Sequence, residues 1–347
     1  MTSRSTLVAI IVTHNRLAAL RRALGAVGVA GCDGIVVVDM ASTDGTKDLL
    51  ADASRDNLQV VSLDKNLGGA AGFALGIQAA RERFDPDWMV LMDDDAWPEP
   101  SAFRTFLACP RDKSCAYAAA VYTPHGHIAD INRPFYDPLG SWQRFVMTLW
   151  SGKPGYYLSD AAYRGGDCVP VELATFVGFF LSRDMVEHIG LPDRRFFLYC
   201  DDLDYCQRIT AQGGTICFDP SLRFRHACLT FSDPRRRYRP LWKAFYAHRN
   251  GLILARRSAG RGKWVVSLAL IFTWGMRALW YRGERRAYLR ILGLVCRDGL
   301  RADLSRPHSA VLSAARTTGC PTRKSTSPSA IAARLTKATY KGSKTAG

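Results

Sequence analysis

Four times in the first hundred residues, a short apolar, β-branched run stops at a polar or acidic cluster and yields to a helix-forming stretch. Leu7 to Val12 ends at Thr13-His14-Asn15-Arg16, ahead of a helical pattern from Leu17 to Ala26. Ile35 to Val38 ends at Asp39, and Ser42-Thr43-Asp44-Gly45-Thr46 caps a helix from Lys47 to Ser54. Val60 to Leu63 runs into Asn66-Leu67-Gly68-Gly69-Ala70-Ala71-Gly72 and a helix to Phe84, and Trp88 to Met92 ends in Asp93-Asp94-Asp95. This alternation predicts an α/β fold: a mostly parallel central sheet flanked by helices, with function at the C-terminal ends of the strands.

Past residue 120 the pattern loosens. Pro and Gly interrupt Val121 to Gly155, which reads as surface excursions over the sheet. Glu172 to Ser182 reads as a strand containing Gly178, and Met185 to Ile189 as a short helix. Phe196 to Tyr199 leads into Asp201-Asp202-Leu203-Asp204-Tyr205, which opens a helix through Thr210. Thr215 to Phe218 and Leu222 to His226 read as the last two strands, and residues 240–300 as helical.

Composition excludes a wholly disordered, collagen-like or coiled-coil chain: of 347 residues, 48% are hydrophobic and 22% charged. The start, Met1 to Thr6, lacks the pattern of a secretion signal, and no run of 18 apolar residues occurs, so a cytoplasmic protein is expected. None of the ten cysteines falls in a CxxC spacing, which speaks against structural zinc and a disulfide framework. Charge divides the chain sharply. Residues 1–230 hold 22 Lys and Arg against 27 Asp and Glu, whereas residues 231–347 hold 25 against 4. So one-sided a field implies a polyanionic partner, whether anionic lipid, nucleic acid or an anionic substrate. Trp264 to Tyr281 is apolar until Arg277, too short for a confident span; it suits either a membrane interface or a buried packing helix. Beyond Arg306 the chain is rich in Ser, Thr, Ala, Lys and Arg and reads as a disordered tail.

Two acidic clusters carry the chemistry. Asp93, Asp94 and Asp95 end a hydrophobic strand, where a divalent cation would relieve their repulsion; the alternative is a polar turn. Asp201 and Asp202 follow the apolar run from Phe196 to Tyr199, where a desolvated carboxylate gains the raised pKa of a general base; the alternative is helix capping. His226 ends another strand and would add a third ligand to two carboxylates. Gly68, Gly69, Gly72 and Gly76 suit either close approach to a phosphate or helix-to-sheet packing. The loop after the first strand lacks the GxGxxG of a dinucleotide-binding oxidoreductase. Trp97 and the Phe176 to Phe180 stretch, with Phe179 in it, offer flat faces for a sugar or bury themselves in the core.

In their order and spacing these motifs resemble the family 2 inverting glycosyltransferases of GT-A fold, within the galactofuranosyltransferase and rhamnosyltransferase branch, over residues 6–255. The resemblance rests on Val12-Thr13-His14-Asn15-Arg16, Val36 to Asp39 with Ser42 to Thr46, Asn66 to Phe73, Asp93 to Asp95, Asp201 to Tyr205, and His226. It implies that Thr13 and Asp39 hold the nucleotide base and ribose, that Arg16 lies near the phosphates, and that Asp94 touches ribose or donor sugar. It implies further that Asp93, Asp95 and His226 bind Mn²⁺ or Mg²⁺, and that Asp202 is the catalytic base of a single displacement with inversion. Tyr246, His248, Arg249 and Asn250 resemble a His-x-Arg-Asn stretch of the galactofuranosyl branch, with phosphate or acceptor contact expected there; Trp97, Phe179 and Asp201 are the other acceptor candidates. Met40 stands where the family usually has Asn, and Ala71 where Gly is common. The segment around Phe73 and Gly76 favours UDP-galactofuranose as donor over dTDP-rhamnose. The expected organisation is a glycosyltransferase domain over 1–230, a basic helical extension over 231–305 and a tail over 306–347. The extension would meet an anionic membrane surface from the cytoplasm and present the site to a glycan or lipid-linked acceptor of the cell envelope; no specific nucleic acid is expected.

Overall fold

The computed structural model describes residues 4–53, 55–228 and 237–316. Four parallel strands, β1 (Leu7–Thr13), β2 (Gly34–Asp39), β3 (Leu58–Ser62) and β4 (Trp88–Asp93), form one half of a single nine-stranded sheet. Between them run α1 (Leu17–Ala30), α2 (Thr46–Asp52) and α3 (Gly69–Phe84). Every residue of β1 and β2 is buried, as expected of strands covered on both faces. The other half is mixed. β5 (Ala96–Pro98), β6 (Cys115–Tyr122), β7 (Val169–Val171), β8 (Phe179–Ser182) and β9 (Thr215–His226) extend the sheet, in the order β3-β2-β1-β4-β8-β6-β9-β5 with β7 beside β9. β8 runs antiparallel between β4 and β6, while β6 and β9 are parallel.

Two strand readings change. Glu172 to Ser182 is a strand only from Phe179, because Gly178, at φ +68°, turns the chain just before it. The two strands expected between Thr215 and His226 are one, with an irregularity: Asp219 pairs Ala119 and Arg223 pairs Ala120, so Pro220, which has no N–H to donate, sits outside the ladder. Smaller helices α4 (Ala102–Ala108), α5 (Trp142–Ser151), α6 (Asp160–Arg164) and α7 (Arg183–Ile189) fill the connections, and α8 (Asp201–Ala211) follows the second acidic cluster.

The basic region is helical, as its pattern predicts: α9 (Lys243–Ala259), α10 (Lys263–Arg277), α11 (Arg285–Arg301) and α12 (His308–Ala315). They share an apolar core of Leu241, Phe245, Tyr246, Trp274, Tyr288, Ile291, Val295 and Val311. Part of the expected tail, His308–Ala315, is therefore ordered helix; residues 317–347 lie outside those described. Among the described residues no helix is long and apolar enough to cross a membrane.

Candidate active site

Parallel pairing sets the site's first row. Thr13 lies opposite Asp39 across β1 and β2, and Val12 opposite Asp93 across β1 and β4, so three strand ends deliver their polar residues to one edge. Thr13 Oγ1 donates to Asp94 Oδ2 at 2.7 Å, and both side chains are buried. Asp39 is fully buried, with Oδ1 accepting from the Ser42 N–H at 3.0 Å. Its Oδ2 finds no partner among the described residues, although an unpaired buried carboxylate oxygen is costly. A donor from a bound molecule, such as the imide N–H of a pyrimidine base, would satisfy it.

Asp93, Asp95 and His226 each offer a ligand atom, and those atoms lie within 4.8 Å of one another. Burial, then the neighbouring Asp95, pushes the Asp93 carboxyl up to about 7. Burial likewise pushes Asp94 up to about 6, against the pull of Arg16 and the Thr13 hydroxyl. Burial works on Asp95 too, but its bonds to His226 and Arg16 outweigh it and hold that carboxyl below its usual range. The Arg16 guanidinium bridges the centre, at 3.4 Å from Asp94 Oδ1 and in closer contact with Asp95.

The histidine is oriented from behind. Asn132 Nδ2 donates to Thr175 Oγ1 at 2.9 Å, which turns its Oδ1 toward His226 Nδ1, 2.6 Å away. Nδ1 then carries the hydrogen, and Nε2 faces Asp95 Oδ1 at 3.0 Å. With Nδ1 committed to Asn132, Nε2 and Asp95 Oδ1 close on one position that either a hydrogen between them or a divalent cation can fill. Two carboxylates and one imidazole suit Mn²⁺ or Mg²⁺, so the residues present fit such an ion.

Asp201 and Asp202 open α8, and Asp93 is among the charges that raise Asp201. Burial and the adjoining Asp202 push Asp201 well above the usual carboxylate range. Burial carries Asp202 up to about 6, although N–H groups of Leu203 and Phe176 stabilise its charge. Leu203 N–H reaches Asp202 Oδ1 at 2.8 Å, so Asp202 both satisfies a helix-end donor and remains a base; Cys200 occupies the N-cap position itself. Sequence reasoning missed what holds this pair. Phe197, Tyr199 and Cys200 all have φ near +65°, a conformation costly for non-glycine residues. Asn250 of α9, fully buried, donates Nδ2 toward the carbonyls of Phe196, Leu198 and Tyr199 at 3.1, 3.0 and 2.8 Å. Arg249 fixes the amide by donating Nε to Asn250 Oδ1 at 2.9 Å. Lys243, at the start of α9, is held below its usual pKa by burial and then by the charge of Arg16.

Other expected residues lie elsewhere. Phe179 is fully buried in β8 between β4 and β6 and presents no face to a sugar. His248 is buried, stacks on Trp274 at 4.4 Å, and has its pKa pushed down to about 3 by burial; it belongs to the α9–α11 core, not to an acceptor surface. Tyr246 and Arg249 are buried there as well, so the His-x-Arg-Asn stretch braces a loop. Trp97 stays half-buried, with Arg22 of α1 5.0 Å from its ring centre. Gly68, Gly72 and Gly76 serve packing, whereas a Cβ on Gly69 would meet nothing within 4 Å among the described residues. A Cβ on Gly72 would lie 2.5 Å from Val12 Cγ1, and one on Gly68, at φ +87°, would lie 2.1 Å from the Phe197 carbonyl oxygen.

A nucleotide-sugar-type sheet whose strand ends gather a carboxylate–imidazole centre beside a buried acid pair defines a glycosyltransferase with a GT-A-like fold. Residues 8–127 match the family described as Glycosyl transferase family 2. It is 28% identical over 241 residues to galactofuranosyltransferase GlfT1 of Mycolicibacterium smegmatis, covering 66% of this chain and 74% of that one. It is 29% identical over 231 residues to GlfT1 of Mycobacterium tuberculosis, covering 63% and 69%. In fold it is similar to S. aureus TarS 1-349, at a TM-score of 0.50 with 11% identity, over 89% of this chain and 90% of that structure.

Proposed function

We propose that this protein transfers galactofuranose from UDP-galactofuranose, with inversion, to a hydroxyl of a glycan or lipid-linked glycan at the cytoplasmic face of the cell envelope. The observation that carries the reading is the half-buried acid Asp202, its pKa raised by burial to about 6, adjoining Asp201, whose own carboxyl feels the charge of Asp93 in the Asp93, Asp95 and His226 centre. The likeness to two galactofuranosyltransferases supports the sugar.

In this reading Asp39 and Thr13 seat the uridine, with Asp39 Oδ2 meeting the base or ribose. Asp93, Asp95 and His226 hold Mn²⁺ or Mg²⁺, which when bound neutralises the charge of the departing diphosphate. Arg16 and Lys243 add positive charge on the same side, and Asp94, tied to Thr13 and Arg16, meets the ribose or donor sugar. The acceptor hydroxyl loses its proton to the Asp202 carboxylate as its oxygen attacks the anomeric carbon from the face opposite the diphosphate. Asp201, whose pKa burial and the adjoining Asp202 raise, can donate a hydrogen bond to the acceptor when it holds a proton, with Trp97 as a more distant contact.

The test is incubation with UDP-galactofuranose, Mn²⁺ and a galactan or lipid-linked oligosaccharide, with the product's anomeric configuration read by NMR. Inverted galactofuranosyl product that disappears with Asp202→Asn is expected. Transfer from dTDP-rhamnose alone would promote the second reading, a rhamnosyltransferase. A protein that binds polyanions but transfers neither sugar, and is indifferent to changes at Asp93, Asp95 and Asp202, would remove the enzyme reading.

A further inference from the structure

Helix α10 is built inside out for a soluble surface. Its outward residues Val265, Leu268, Phe272 and Met276 are 72, 69, 70 and 52% exposed, and their spacing of three or four puts them on one face. Trp264 at one end and Trp280 just beyond the other are 57 and 42% exposed. The inward residues Ser267 and Trp274 pack on α9 and α11, so the helix is anchored while its apolar stripe has no partner among the described residues. Large contiguous apolar faces of this kind mark interaction surfaces.

Charge identifies the occupant. Residues 261–290 contain seven Lys and Arg and one acid, Glu284. Arg282, Arg285, Arg286 and Arg290 all lie exposed just past the stripe. A second copy of the chain would bring the same positive charge against its own. The segment 317–347, with six Lys and Arg and no acid, would be repelled for the same reason. An anionic bilayer complements both features: apolar side chains enter the acyl boundary, the tryptophans sit at headgroup level, and the arginines meet lipid phosphates. Helix α5 adds to this. It exposes Trp142, Met147 and Trp150, and its approach is tied to the end of α9, where Ser258 donates to Asp137.

We propose that the outward face of α10, with the arginines of residues 282–290, docks this protein flat on an anionic membrane surface. The face is distinct from the carboxylate centre, so UDP binding in the same variants separates failure of docking from failure of the active-site reading.

Flotation of the full chain with two kinds of vesicle tests it: phosphatidylcholine alone, and phosphatidylcholine mixed with phosphatidylglycerol. The intact protein should float with the anionic vesicles and far less with the neutral ones. The double variant Leu268→Glu, Phe272→Glu should lower the bound fraction about tenfold while UDP affinity is unchanged, since burying two carboxylates in the headgroup region opposes insertion. Arg285→Ala with Arg286→Ala should weaken binding to anionic vesicles only. Quenching of the intact protein's tryptophan fluorescence by bromine-labelled acyl chains gives an independent reading that needs no variant. Undiminished flotation of the double-glutamate variant, no flotation of the intact protein, or a solution dimer that this variant converts to monomer would each overturn the proposal.

Discussion

Asp202 combines a pKa raised by burial with a hydrogen bond from the Leu203 N–H, which holds the carboxylate in place and offsets part of the rise. Asp202→Asn removes the base and keeps the shape. It should lower kcat by about 10²-fold or more, while UDP affinity stays within about twofold by calorimetry. Because burial raises the pKa to about 6 and the charged form is the base, kcat/KM should fall about tenfold per pH unit below that value. A profile flat from pH 7 down to 5 would remove Asp202 from the role. Behind the metal ligands, Asn132→Leu should leave the fold intact but free His226 to rotate. Mn²⁺ affinity, followed by the ion's own paramagnetic signal, should weaken about 10- to 100-fold. The acid clusters were legible because carboxylates repeated at strand ends have few bland explanations. Asn132 was not: it sits in an irregular stretch and acts only through a histidine 94 residues away.

At the level of elements, the base-bearing loop is held from two sides, by the start of α3 and by α9. Gly68 lets α3 approach the Phe197 carbonyl, and Asn250 satisfies the carbonyls of Phe196, Leu198 and Tyr199 around three left-handed residues. Asn250→Ala removes the side-chain donor of the Leu198 and Tyr199 carbonyls, at a cost of about 1–3 kcal/mol for a buried group, in a loop that already stores strain. It should depress kcat far more than the KM for the nucleotide sugar; an unchanged kcat would show that the loop holds itself. The β-α alternation of the first hundred residues was readable because its periods are local. The kink at Gly178, the bulge around Pro220 and the clamp from α9 were not, since each depends on a partner distant in sequence. Phe179 and His248 illustrate the same limit: an aromatic or a histidine near a motif looks alike whether it faces a ligand or fills a core, and only packing decides.

For the molecule as a whole, the sheet's edge, the helical region and the charge division form one arrangement. The acidic N-terminal portion supplies the carboxylates of the proposed metal centre and proposed base, and the basic helices both brace the loop before Asp202 and turn an apolar, arginine-flanked face outward. The charge is legible in the sequence, which leaves open whether Trp264 to Tyr281 is buried or interfacial; α10 packs on one face and exposes an apolar stripe on the other, and the docking proposal rests on that stripe. The central claim is that the strand-end centre is a metal-dependent seat for a nucleoside diphosphate. Titration calorimetry of UDP and dTDP, with and without Mn²⁺, on the intact protein and on Asp95→Ala tests it most directly. The account predicts UDP binding that needs Mn²⁺, is tighter than dTDP binding, and is lost in Asp95→Ala. Binding of neither nucleotide, or UDP binding indifferent to both Mn²⁺ and Asp95, would contradict it.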